Sequence, residues 1–265
     1  APLLAAPLLA APLLAAPLLA APLLAAPLLA APLLAAPLLA APLLAAPLLA
    51  APALAAPALA VPAISCHCFQ DRSFDPQRPD AVDPYLLANS RNSLFAAAFG
   101  VEKKAVVKAV MSGTLPEELW VSHYLAQRSG QSVEAVDSLR SSTPSWKGVL
   151  SPLGAGPEQC GNAFFAAALQ GAGSNVLASL AVDAVLMTRL LVPPEEIAGL
   201  RGAGADDRQT VLAVFLGRKT GRPVRVLYDE VAGGGSWGAI LATTGMEPKD
   251  IEGEMRGLLL AAGTR

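Results

Sequence analysis

Few side chains in this chain are suited to chemistry. It has two histidines and three cysteines in 265 residues. Cys66, His67 and Cys68 stand together, and Cys160 lies far away. A structural metal site needs about four ligands at workable spacing. The other histidine, His123, is distant and there is no second cysteine pair, so no metal and no cofactor are expected. In an oxidising compartment the same residues suggest Cys66 as a lipid acceptor and a Cys68–Cys160 disulfide. Closing that loop of about 90 residues would contribute on the order of 3–5 kcal/mol if unstrained. The alternative for Cys160 is a buried thiol in an apolar slot.

His123 lies between Trp120 and Tyr124 on an apolar helical face, which favours a packed histidine over a catalytic one. Ser122 beside it has no nucleophile-elbow context, and no triad spacing is present. The carboxylate pairs Glu117-Glu118, Glu195-Glu196 and Asp206-Asp207 invite general acid–base chemistry. All three stand in expected first turns of helices, where negative charge offsets the helix dipole. Gly233-Gly234-Gly235 lacks the lysine of a phosphate-cradling loop. The one basic cluster is Arg218, Lys219, Arg222 and Arg225, a candidate contact for lipid headgroups, phosphate or an acidic partner. No catalytic residue is assigned.

These residues sit on two unlike polymers. Residues 1–65 are five-residue units: ten APLLA, two APALA and VPAIS. The tract holds 13 of the 24 prolines, no glycine and no charge. All 40 Lys, Arg, Asp and Glu residues therefore lie in the other 200, and the mean hydropathy of +0.48 averages over both parts. A net charge of −2 and a pI near 5.7 argue against nucleic acid as a partner.

The tract is apolar for far longer than the ~20 residues a spanning helix needs. Proline opposes that helix, at about 3 kcal/mol or more for each interior ring. A strand fares no better, because the odd period puts proline on both faces. An expanded secretory-signal core fits the composition, although such cores normally run to about 7–15 residues behind a basic segment. The chain starts at Ala1 without a basic stretch, and its N-terminus is read as truncated or processed. Ala63 and Ser65 stand three and one residues before Cys66, as signal peptidase requires, and Ala63-Ile64-Ser65-Cys66 approximates a lipobox. The expected location is periplasmic or extracellular, with membrane association through the tract or a lipidated Cys66. The partner is an unspecified protein or small ligand.

Residues 66–83 read as an extended segment. Phe69 and Phe74 are expected either to clamp the first unit, with Asp71–Arg72 tying the loop, or to line a binding site. Beyond it the chain matches itself at an offset of 91 residues, without gaps. Identities include Gly113/Gly204, Leu125/Leu216, Gly130/Gly221, Val133/Val224, Trp146/Trp237 and Pro157/Pro248. Tyr124/Phe215 and Arg128/Lys219 are conservative pairs. Apolar periodicity, glycine stops and proline starts predict an all-α fold of two tandem units, 84–172 and 173–265, packed as one or two small bundles.

Asp83 is expected to cap a helix to Phe99, Thr114 to cap Leu115–Arg128, and Thr143 to cap Pro144–Leu150. A continuous helix is expected over Pro157–Gln170. Trp146, Trp237, Trp120, Tyr124 and Phe215 are the expected core anchors, and Gly238 after Trp237 would admit a neighbouring backbone. The composite reading is an exported envelope protein with a non-catalytic binding or scaffolding role. The rival is an enzyme with its site at the seam between the units, using His123, Glu118 or Arg222.

Overall fold

The computed structural model describes residues 69–263. The tract, its cleavage site, Cys66, His67 and Cys68 lie outside the described residues. Every regular element described is helical and there is no strand among them. In chain order the α-helices are α1 (Asp83–Phe99), α2 (Lys103–Met111), α3 (Pro116–Ser129), α4 (Val133–Ser142), α5 (Trp146–Leu150), α6 (Pro157–Cys160) and α7 (Asn162–Leu169). They continue with α8 (Ser174–Arg189), α9 (Pro194–Gly202), α10 (Asp207–Thr220), α11 (Val224–Ala232), α12 (Trp237–Ala242) and, after a 3-10 turn at Pro248–Asp250, α13 (Ile251–Gly263). None of these is long and apolar enough to cross a membrane.

Local chemistry explains most boundaries. Gly100, Gly130 and Gly221 close α1, α3 and α10 in the left-handed region that glycine enters without a Cβ clash. Asp206 and Gln209 form a reciprocal capping box at the start of α10. Ser132 and Ser236 accept the third amide of α4 and α12.

Several expected caps are corrected. Leu115, not Thr114, occupies the position before α3 and makes no side-chain cap, because Pro116 opens the helix. Thr143 turns back to donate to the carbonyl of Leu139 (3.0 Å), and Ser145 takes the cap position of α5. The long helix expected over Pro157–Gln170 breaks at Gly161, whose φ of 82° takes it out of the helix and separates α6 from α7. Asp83 lies inside α1, and its carboxylate serves another helix.

Packing interleaves the early and late helices. The central α1 is covered along its length by α10 and α13, while α3 packs on α8. A single hydrophobic cluster runs through all of them. Trp120, Trp146, Trp237, Tyr124 and Phe215 lie within it, each 2% exposed or less.

The extended segment docks against α12. A Cβ built on Gly238 would stand 2.3 Å from the carbonyl oxygen of Pro79 and 2.6 Å from Val82 Cγ1. Glycine is thus the residue that admits this backbone. Phe69 meets Tyr85 of α1 edge-on, and Phe74 packs on the core half-buried. Asp71 pairs with Arg78 at 3.1 Å, while Arg72 Nε donates to the carbonyl of Phe69. Both residues thus tie the loop, Asp71 through Arg78 and Arg72 through the backbone of Phe69.

Candidate functional site

The middle of α1 reads Asn89-Ser90-Arg91-Asn92-Ser93, a polar belt on a helix buried on all sides. Buried polar atoms are costly unless bonded, and most of these find partners, the exception being Arg91 Nε. Asn89 donates to the carbonyl of Pro248 (2.9 Å) and accepts from Lys103 Nζ (2.9 Å). Ser90 donates to the carbonyl of Leu87. Arg91 reaches Glu117 of α3 and Asp207 of α10, both at 3.5 Å.

The network continues through Asp207. Arg201 of α9 donates to Asp207 (2.8 Å) and to Asp183 of α8 (2.7 Å). Burial works against the Arg201 charge, and the two aspartates more than offset it, so its pKa lies above the ordinary value. Asp183 is pushed up by burial, against the pull of Arg201. A second chain runs from Arg140 to Glu118 (3.4 Å), with Ser174 donating to Glu118 (2.5 Å) and Trp146 Nε1 donating to Ser174 (2.8 Å). The acidic pairs at the helix starts thus do more than offset dipoles: Glu117, Glu118 and Asp207 bind cations or hydroxyls on other helices.

Beside the first network lies a cavity of about 450 Å³ between α3, α6, α7, α8 and α9. Leu180, Asp183, Ala184, Met187 and Thr188 face it at helical spacing from α8, and Ile197, Ala198 and Arg201 from α9. Tyr124, Arg128, Cys160 and Phe164 close the other wall. Tyr124 donates to the carbonyl of Cys160 (2.8 Å), and burial raises its pKa. Burial also raises the pKa of the Cys160 thiol, which keeps it protonated and poorly nucleophilic at neutral pH. The proposed partner Cys68 lies outside the described residues. The Arg128 guanidinium stacks over Tyr124, 5.3 Å from the ring centroid, and its Nε is buried without a hydrogen-bond partner. A second depression, of about 650 Å³, is lined by Arg72, Lys104, Lys108 and Met111 among others.

Of the residues singled out in the sequence, Tyr124 and Cys160 line the first cavity and Arg72 the second, while His123, Glu118, Arg218, Lys219, Arg222 and Arg225 line neither. His123 packs against Phe95 (4.7 Å between ring centroids) and Phe99, and its Nδ1 lies 3.0 Å from the carbonyl of Leu119. Burial lowers its pKa, only partly countered by that carbonyl. Ser122 donates to Asp137 (2.5 Å). Glu118 is held in the Ser174 network. Arg218 donates to the carbonyls of Leu190 and Leu191, closing the C-terminal end of α8. Lys219 pairs with Glu254, Arg222 with Glu230, and Arg225 with Asp229. No cluster of His, Cys, Asp or Glu among the described residues could hold a metal ion.

Sequence reasoning overlooked the α1 polar belt, the Arg201 network and Arg128. The belt had a legible signal, five polar residues inside an otherwise apolar helix. A scan of protein-family models, a search of curated proteins and a search of solved structures each found no match to this chain.

Proposed function

We infer that this chain is an exported envelope protein, periplasmic or extracellular, whose helical part binds or scaffolds rather than catalyses. Its two tandem units, residues 84–172 and 173–265, descend in this reading from one duplicated helical unit. The spacing of the helices supports the duplication. α1 to α5 begin at residues 83, 103, 116, 133 and 146, and α8 to α12 begin at 174, 194, 207, 224 and 237, each 91 later. Contacts recur at the same offset. Asp83, the first residue of α1, accepts from the amides of Trp237 and Gly238 at the start of α12 (3.0 and 2.7 Å). Ser174, the first residue of α8, accepts from the indole of Trp146 at the start of α5.

The observation that carries the non-catalytic reading is the fate of polar groups at the seam. Asp183, Arg201, Asp207, Arg91 and Glu117 are bonded in one network, Tyr124 is bonded to backbone, and His123 packs among phenylalanines. Among the described residues no base is hydrogen-bonded to the Cys160 thiol at the 450 Å³ cavity. A pocket of that size with mostly apolar walls suits a small ligand.

Export rests on the apolar tract and on Ala63-Ile64-Ser65-Cys66. The test is expression with residues 1–65 in place, followed by fractionation and mass spectrometry. A mature chain beginning at Cys66 outside the cytoplasm is expected. A cytosolic protein that retains residues 1–65 would overturn export, and detergent partitioning of the mature chain would separate a lipidated form from a free one.

A further inference from the structure

We propose that the cavity between α3, α7, α8 and α9 binds a small amphipathic carboxylate, whose charge pairs with Arg128 and whose apolar body lies against Phe164, Ala184, Met187 and Ile197. This deepens the binding reading above and rests on it and on the 91-residue correspondence.

Positions 91 residues apart differ at one charge. In the second unit Lys219 of α10 stands over the ring of Phe215 (5.9 Å) and forms an ion pair with Glu254 of α13. Ninety-one residues earlier, Arg128 of α3 stands over the ring of Tyr124 (5.3 Å). The residue at the place of Glu254 is Ala163, which lines the cavity. Among the described residues no carboxylate pairs with Arg128, and its Nε is a buried orphan. The cation and its aromatic bed are kept while the internal anion is missing.

The cavities beside the two C-terminal helices differ in their lining. In the second unit α13 runs on to Gly263 and buries Ile251, Met255 and Leu259 beneath it. In the first, Gly161 interrupts the equivalent helix, and α7 ends at Leu169. The cavity beside α7 offers about 450 Å³ of mostly apolar space, whereas the depression beside α13 and α2 is lined by Lys103, Lys104, Lys108 and Glu252. A ligand matching the unpaired guanidinium and this apolar lining carries an anionic oxygen pair for the one and a hydrocarbon body for the other. Arg201, at the α8–α9 wall, is held by Asp183 and Asp207, and Glu158 stands exposed at the rim, so the positive charge without a carboxylate partner among the described lining residues is that of Arg128.

Isothermal titration of the full chain with decanoate, and with decanol as the uncharged comparator, tests this. Decanoate should bind, and decanol about tenfold more weakly. Arg128→Gln should weaken decanoate about tenfold and leave decanol unchanged. Ala163→Glu, at an exposed site, should supply the missing internal carboxylate and compete with decanoate to a similar extent. Met187→Trp should weaken both ligands by filling the cavity. Absence of decanoate binding to the folded chain would overturn the proposal, as would decanoate affinity indifferent to both Arg128→Gln and Ala163→Glu. Decanoate recovered chemically altered would support the site and count against the non-catalytic reading. A cytosolic chain retaining residues 1–65 would remove export and leave the site standing.

Discussion

Gly238→Ala adds one methyl group at the point where the extended segment crosses α12. The new Cβ would stand 2.3 Å from the Pro79 carbonyl oxygen and 2.6 Å from Val82 Cγ1. The first contact is with backbone, so no side-chain rotation relieves it. Overpacking of this kind costs typically about 1–3 kcal/mol. Displacing the segment also disturbs Asp83, which caps α12 through the amides of Trp237 and Gly238, and a lost cap costs about 1 kcal/mol. Alanine's better helix propensity returns at most ~1 kcal/mol. The expected net loss is about 2 kcal/mol, or ~6 °C in Tm for a domain of this size. Gly257→Ala is the control, because it is mid-helix in α13 with nothing within 4 Å of the added Cβ. It should stabilise by up to ~1 kcal/mol. Urea denaturation of both variants beside the parent gives the comparison. A Gly238→Ala protein as stable as the parent would refute the claim that this glycine admits the segment.

Other perturbations address the polar network and its pH response. Arg201→Ala strands the carboxylates of Asp183 and Asp207 and should cost about 3 kcal/mol by the same assay, with partial recovery in Arg201→Lys; an effect below about 1 kcal/mol would count against the network. Asp83→Ala should cost about 1–2 kcal/mol through the lost α12 cap, whereas an unchanged urea midpoint would show that the cap is dispensable. Burial holds the His123 pKa below its ordinary 6.5, so the unfolded chain takes up that proton first as the pH falls. The parent should therefore lose stability below pH 6.5 relative to His123→Leu, and parallel stability–pH curves for the two proteins would contradict this.

The helices were legible because their punctuation is local. Gly100, Gly130 and Gly221 announce the ends of α1, α3 and α10, and Asp206-Asp207-Arg208-Gln209 is a complete start signal. Boundaries failed where a residue's best partner was distant. Asp83 looks like the cap of its own helix, yet its carboxylate is used 154 positions away by Trp237. Gly161 could have been tolerated inside a helix, and only its positive φ separates α6 from α7. The candidate site was less accessible still. Arg128 is one of many arginines in the sequence and gains meaning only when Ala163 is set against Glu254. Arg91, Arg201, Asp183 and Asp207 come from four helices, and no spacing rule links them.

In the proposed duplication the two units exchange their first helices, α1 lying on α10 and α13 while α8 lies on α3. A single unit therefore lacks the surfaces that cover its own first helix. The direct measurement is the helical circular dichroism and light-scattering mass of residues 173–265 alone across a dilution series. A folded dimer that loses helicity as it dissociates is the predicted result. A stably folded monomer, indifferent to concentration, would contradict it.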